Sequence, residues 1–559
     1  MKKILSCLLT LALTAALAAP LASAADYTDI PEGSALAGEV RKAVEYGLMN
    51  GYSATKFGYS DSMTRAQFTA VLVRMMGWDM VTPETAFYTD VPVGSTWHSV
   101  IETARAHDVT GNSTHFRPND PITRTEMAEL LVRALGLKYA AECLNSSTIP
   151  MSDAYSILHG SVPFTDLPER EEGYITVAYT IGMTKGTSAT TFSPNASATR
   201  AQAAAMLVRI YEKLHRETDF VHGFYAISSY SQLSLTDSMD AVSAGWSRMI
   251  WDGGTALLST TGANNNEYAV PTGYDEVTER TGEKLKLSVF MEGDSLKAML
   301  VSADGRTQAV EQIVNELMVN YKAIGRNPYS GVTIDFEGLR AASKQDFTAF
   351  LTELRTELDR LDKTLYICVS PVLSSGYYDG AWYNGYDYAA IGRLADKVIL
   401  MAYDYEPRYM AFIGGNYYQY TASVPIDQVY LGLKALTNEV APEKVALGFS
   451  CKNVAWQIDG DGKLVSDTPV YLSNDTVLKR LAQKTTEFGW SEMYQQSYAV
   501  YDGEDGTRWF LWYQDGRSVE TALNAAKLLG VTGVSVWRLG TIPRYSFGSR
   551  EWKWNCLLA

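Results

Sequence analysis

Residues 329–340 read YSGVTIDFEGLR, which sets Asp335 and Glu337 two positions apart in a short apolar run followed at once by Gly338. On an extended strand side chains alternate faces, so Val332, Ile334 and Phe336 share one face and Thr333, Asp335 and Glu337 the other. The two acids then stand about 6–7 Å apart along the strand. Two carboxyl groups in one confined space do not both ionise, and one of them acquires a raised pKa. A carboxyl held protonated near neutrality is a general acid. The structural alternative is an ion pair with a basic residue at the strand end, such as Arg340.

The rest of the inventory narrows the chemistry. The histidines are His98, His107, His115, His159, His215 and His222, so the chain beyond residue 222 has none. That excludes a Ser-His triad, a Cys-His pair and a His-rich metal centre there. Beyond Cys7, the cysteines Cys143, Cys368, Cys451 and Cys556 are widely scattered and read as small buried hydrophobes, not a metal or disulfide framework. An all-carboxylate metal site stays open, but only two acids cluster on the strand, so carboxylate acid catalysis, with no metal and no cofactor, is what the residues permit best.

The elements that must position these acids begin near Asp219. Short β-rich runs alternate with amphipathic helices from there to the end. The expected strands are 222–227, 285–290, 331–337, 365–370, 397–404, either 429–434 or 444–449, and 533–539. Helices are expected at 309–324 and 344–361. Strand-then-helix repetition over 219–559 predicts an α/β fold, a (β/α)8 barrel, with an α+β insertion at 451–510. In such a barrel the polar face of 331–337 points inward, near the C-terminal rim where barrel enzymes keep their chemistry.

Three motifs in order carry a resemblance. GVTIDFEG (331–338) resembles the strand-four motif DxxDxDxE of family-18 glycoside hydrolases, ADKVILMAYDY (395–405) the strand-six MxYD, and GVSVWRLG (533–540) the strand-eight segment. The resemblance implies that Glu337 is the catalytic acid and Asp335 its neighbouring Asp. It assigns Met401, Tyr403 and Asp404 to substrate binding and Trp537 to the floor of the sugar subsite. Ser330 and Thr333 stand where the full motif has acids. This reduced form resembles the branch of spore-cortex and peptidoglycan N-acetylglucosaminidases. The implied reaction is hydrolysis of N-acetylglucosamine-containing glycans, peptidoglycan first and chitin second, with retention and with the substrate's acetamide as nucleophile. A catalytically silent glycan-binding or scaffold protein on the same barrel is the alternative, against which the retained Glu337 speaks.

The first half of the chain repeats itself. MTRAQFTAVLVRMMG (63–77), ITRTEMAELLVRALG (122–136) and ATRAQAAAMLVRIYE (198–212) are versions of one segment, each preceded by an aromatic-Thr-Asp element. Apolar residues at Phe68, Val71, Leu72 and Met75 follow helical spacing, and Thr64 sits where an N-cap belongs. One such unit cannot bury its apolar face alone, so the three are expected to pack together. They resemble S-layer homology modules at 26–80, 81–140 and 160–215, an all-α unit that holds a secondary cell-wall polysaccharide. Carried over by position, the ligand-binding residues are Arg65, Arg124 and Arg200. A guanidinium suits an anionic glycan because its fork of donors matches a carboxylate. The bland alternative is an Arg that only bridges neighbouring modules. Gln67 and Gln202 replace the usual Glu of the motif, so the three sites need not be equally competent.

A net charge of −15 in 559 residues argues against nucleic acid and anionic membrane as partners, since both demand a basic face. The N-terminus sets two lysines before an apolar run (4–21) that ends in Ala22-Ser23-Ala24, the layout of a signal peptide over 1–25. A retained membrane anchor is the other reading of that segment. The expected location is therefore outside the cell, held non-covalently on the bacterial wall, with no membrane partner once the leader is removed.

Overall fold

The computed structural model describes residues 27–144, 162–260, 274–320, 325–373, 381–406 and 421–557; the expected leader at 1–25 lies outside them. Two units result, one of residues up to Ala141 with Val162–His215, the other running from Arg216 onward. No helix among the described residues is long and apolar enough to cross a membrane.

In the first unit three pairs of helices repeat: α1 (Ala37–Glu45) and α2 (Arg65–Met75), α3 (His98–Ala106) and α4 (Arg124–Ala134), α5 (Glu172–Thr180) and α6 (Arg200–Leu214). A capping box opens the second helix of each pair, formed by Thr64 with Gln67, Thr123 with Glu126, and Thr199 with Gln202. Each cap satisfies two otherwise orphaned N–H groups and is worth about 1 kcal/mol. The second helix packs against the first helix of the next pair, α2 on α3, α4 on α5 and α6 on α1. The arrangement therefore closes on itself. A ring of backbone bonds marks its centre: Met63 N–H to Ala198 O (3.2 Å), Ala198 N–H to Ile122 O (3.3 Å) and Ile122 N–H to Met63 O (2.9 Å). The aromatic-Thr-Asp elements are loop clamps, since Asp29, Asp90 and Asp166 accept backbone N–H groups at 57–59, 116–117 and 192–193.

The second unit is a closed parallel barrel. Its strands are β1 (Phe220–Tyr225), β2 (Ala241–Trp251), β4 (Leu285–Glu292), β5 (Gly331–Glu337), β6 (Thr364–Val369), β7 (Lys397–Leu400), β8 (Val445–Ser450) and β14 (Gly533–Trp537). They neighbour one another in the order β1-β14-β8-β7-β6-β5-β4-β2, and β2 pairs back to β1. Outside the ring, β3 (Ala256–Ser259) runs antiparallel to β2. The insertion is a five-stranded antiparallel sheet, β10-β9-β13-β12-β11, built from β9 (Asn453–Ile458), β10 (Val470–Leu472), β11 (Glu487–Ser491), β12 (Gln496–Asp502) and β13 (Arg508–Tyr513). Its core of Ala455, Val477, Leu481, Ala499 and Leu511 is completed by Trp552 from the C-terminal hairpin.

Several elements depart from the sequence reading. The segment 429–434 lies inside a helix, Ile426–Thr437, and the barrel strand is 445–450. The strand expected over 397–404 ends at Leu400, which leaves Met401, Tyr403 and Asp404 on the loop beyond it. The helix expected over 309–324 starts earlier, at Ala303, where the Ser302 hydroxyl caps it. Strand β2 has no counterpart among the expected strands. Gly245 at φ +66° and a register shift between Ala244 and Trp246 break its alternation, so the period-two signal is lost.

Strand β5 does what its alternation requires. Phe336 stacks on Phe350 of the helix Lys344–Arg360 (centroids 5.2 Å apart), on the outer face. Thr333 points inward, its hydroxyl 2.6 Å from that of Ser243. His222 completes this interior layer, with Nε2 2.8 Å from Ser243 Oγ and Nδ1 2.7 Å from Ser535 Oγ. Burial, helped by nearby Lys286, lowers the pKa of His222 to about 3, so the ring is neutral and structural.

Candidate active site

Asp335 and Glu337 end β5 on its inward face, in register with Phe290 and Glu292 of β4. Asp335 is only 4% exposed. Burial raises its pKa well above the carboxylate range, and the charge of Glu292 pushes the same way; hydrogen bonds with Cys368 and Glu337 oppose the shift. Asp335 Oδ1 is buried with no hydrogen-bond partner among the described residues. A buried acceptor in that state is costly unless a ligand supplies the donor.

Cys368 belongs to this site, which the sequence reading did not anticipate. It lies on β6 next to Ile367, whose register partner on β5 is Ile334, and its thiol hydrogen-bonds Asp335. Burial, then the charges of Asp335 and Glu337, drive its pKa well up, so it stays a neutral donor. Glu292 was also missed, because its proximity comes from strand register and not from a motif.

Tyr403 follows β7 and faces the same carboxyl groups. Burial, with Asp335, Asp404, Cys368 and Glu337 nearby, pushes its phenol well above its ordinary value, so it too remains a donor. Its ring passes over Gly448 of β8: a Cβ there would lie 2.8 Å from Tyr403 Cε1 and 2.7 Å from Leu400 O. Gly448 therefore makes room for the phenol. Met401 and Trp537 pack on one cluster that includes Phe224, Tyr366 and Cys368, and Trp537 meets Phe224 edge-on at 5.0 Å.

Asp404 lies beside Tyr403 but ion-pairs elsewhere. It sits at φ +63° with its Oδ2 3.2 Å from Lys452 Nζ. Lys452 also pairs with buried Glu406 at 2.7 Å and lies over the Tyr471 ring at 4.5 Å. This network ties the barrel loop to the first strands of the insertion, and sequence spacing gave no sign of it.

In the helical unit each arginine crosses to the next repeat. Arg65 Nε donates to Phe116 O, Arg124 Nε to Phe192 O and Arg200 Nε to Phe57 O, at 2.9, 2.7 and 3.0 Å. Each guanidinium also lies about 5 Å from the ring of that same phenylalanine.

Known proteins resemble parts of this chain. The cortical fragment-lytic enzyme of Bacillus subtilis is 25% identical over 230 residues, covering 41% of this chain and 50% of that protein. The enzyme of the same name from Bacillus anthracis is 24% identical over 210 residues, 37% and 46% respectively. The chain thus spans about half the length of these curated relatives. The crystal structure of the Bacillus cereus spore cortex-lytic enzyme SleL aligns at 18% identity and TM-score 0.48, over 61% of this chain and 74% of that one. Residues 26–69 and 163–204 match the S-layer homology domain. Residues 209–541 match the model of glycosyl hydrolases family 18, and the chain belongs to that family.

Proposed function

We propose that the protein is an exported glycosidase, held on the bacterial cell wall, that cleaves N-acetylglucosamine-containing glycans by retaining, substrate-assisted catalysis. What carries this reading is buried Asp335, with its raised pKa and unpartnered Oδ1, beside Glu337 at the end of one strand. An enzymic nucleophile would need two carboxyl groups on opposite sides of the scissile bond, about 5–5.5 Å apart. These two lie side by side on one strand and bond each other, so the second oxygen nucleophile is the substrate's own acetamide.

Glu337 gives its proton to the glycosidic oxygen as the bond from C1 to that oxygen breaks. The acetamide carbonyl oxygen attacks C1, and the product is a cyclic oxazolinium. Asp335 Oδ1 accepts the acetamide N–H and, as a carboxylate, stabilises the positive charge that develops. Tyr403 donates to the acetamide oxygen and holds it for attack, while Trp537 lies beneath the sugar ring. Water then attacks C1, Glu337 takes its proton, and the acetamide is restored with configuration retained. Peptidoglycan is the favoured substrate, in keeping with the spore-cortex names of the relatives, and chitin is second.

The middle helix pair, α3 and α4, is read as a third S-layer homology module, because its capping box, loop clamp and Arg124 repeat those of its neighbours. The three modules hold a secondary wall polysaccharide through Arg65, Arg124 and Arg200. Purified muramyl glycan incubated with wild type and with Glu337→Gln tests the catalytic proposal. Wild type should release new reducing ends, and the variant about a thousandfold fewer per unit time. No release by wild type, or equal release by the variant, would refute it.

A further inference from the structure

The loop that carries Tyr403 is held from β8 at two places. Strand β7 ends at Leu400, so residues 401–406 lie beyond its ladder. The Tyr403 ring lies against Gly448, inside β8. Four residues further on, just past the end of β8 at Ser450, Lys452 sets its ammonium between two acids of the loop. Its Nζ is 3.2 Å from Asp404 Oδ2 and 2.7 Å from Glu406 Oε1. One strand end therefore seats the phenol and grips the two acids that follow it.

The loop has need of a grip. Asp404 is left-handed, at φ +63°, a conformation that costs a residue with a side chain about 1–2 kcal/mol. Glu406 is buried, and a carboxylate out of water needs a counter-charge. Burial pushes its pKa up to about 7, the charge of Asp404 adds to the rise, and Lys452 opposes it. Burial also works against the charge on Lys452, but Asp404 and Glu406 outweigh it and its pKa is raised, so the ammonium persists. The Tyr471 ring of β10, 4.5 Å away, covers it on a third side. Lys452 meets the catalytic groups through Asp404, which a peptide bond joins to Tyr403.

We propose that Lys452 is a positioning residue for Tyr403: by pinning Asp404 and Glu406 it fixes the left-handed turn that aims the phenol at the acetamide oxygen. This rests on the substrate-assisted reading above and adds the residue that sets its hydrogen-bond donor.

Initial rates of the full-length protein on a chito-oligosaccharide are measured for wild type, Lys452→Met, Tyr403→Phe and the double variant. Lys452→Met should lower kcat about tenfold and leave KM within about twofold, because a misplaced donor is felt in the transition state. In the Tyr403→Phe background the same exchange should cost less than about twofold, since the hydroxyl it aims is gone. A loss of packing alone would add equally in both backgrounds. Equal losses would therefore overturn the proposal, as would an unchanged kcat or an effect confined to KM. A parallel set joins Glu406→Gln to Lys452→Met, so that no buried carboxylate is left without its cation, and is read in the same way. Wild type without activity would overturn the glycosidase reading and this proposal together, whereas an active wild type with equal losses overturns this proposal alone.

Discussion

At the scale of single residues, the site is built on charge kept out of water. Asp335 has a raised pKa because it is buried beside Glu292, and Cys368 and Tyr403 stay protonated because they are buried beside Asp335. Donors therefore stand beside the Asp335 carboxyl. Replacing Asp335 by Asn keeps the size and removes the carboxylate proposed to meet the oxazolinium. Steady-state kinetics should show kcat lowered at least about a hundredfold with a smaller change in KM, since the lost interaction strengthens in the transition state. A change confined to KM would assign Asp335 to binding alone. Asp335 and Glu337 were legible in the sequence because alternation on one strand fixes their common face. Cys368, Glu292 and Gly448 were not. Each reaches the site through the register of a different strand, and register is set by barrel closure, which no local pattern records.

At the scale of elements, the barrel accepts buried acids away from Asp335 as well. Asp427, in the first turn of the helix Ile426–Thr437, is buried, and its Oδ2 accepts from Gln428 Nε2 at 2.6 Å. Burial pushes its pKa up to about 6. A raised folded-state value means that the folded protein binds the proton more tightly than the unfolded chain. Stability from this group is therefore complete below the ordinary carboxylate pKa and is lost as pH climbs toward 6, by roughly 3 kcal/mol at most. Asp427→Asn should flatten the fall of the barrel's unfolding midpoint between about pH 4 and pH 6 and leave the variant more stable than wild type at pH 8. Parallel midpoint curves for the two proteins would contradict this. The helix 344–361 and strand 331–337 could be read almost residue for residue, because a clean amphipathic period and a clean alternation coincide with their ends. Strand β2 could not be, since a bulge at Gly245 shifts one half of it against the other.

At the scale of the whole molecule, the repeat was the most legible feature and its closure the least. Thr64, Thr123 and Thr199 announce three capped helices, and the structure caps all three. That each second helix packs on the following pair, and the last on the first, follows only once the backbone ring at Met63, Ile122 and Ala198 is seen. The same closure gives the arginines a structural duty beside the proposed ligand, so deleting them would loosen the seams as well as the binding.

The central claim is that an acid on β5 works with the substrate's acetamide and not with a second enzymic nucleophile. Initial rates on a chito-oligosaccharide and on the same oligosaccharide freed of its N-acetyl groups test it directly. Wild type should cleave the acetylated chain with its first product retaining configuration, and the deacetylated chain at least about a thousandfold more slowly, as befits loss of the attacking group. Comparable rates on the two chains would contradict the account.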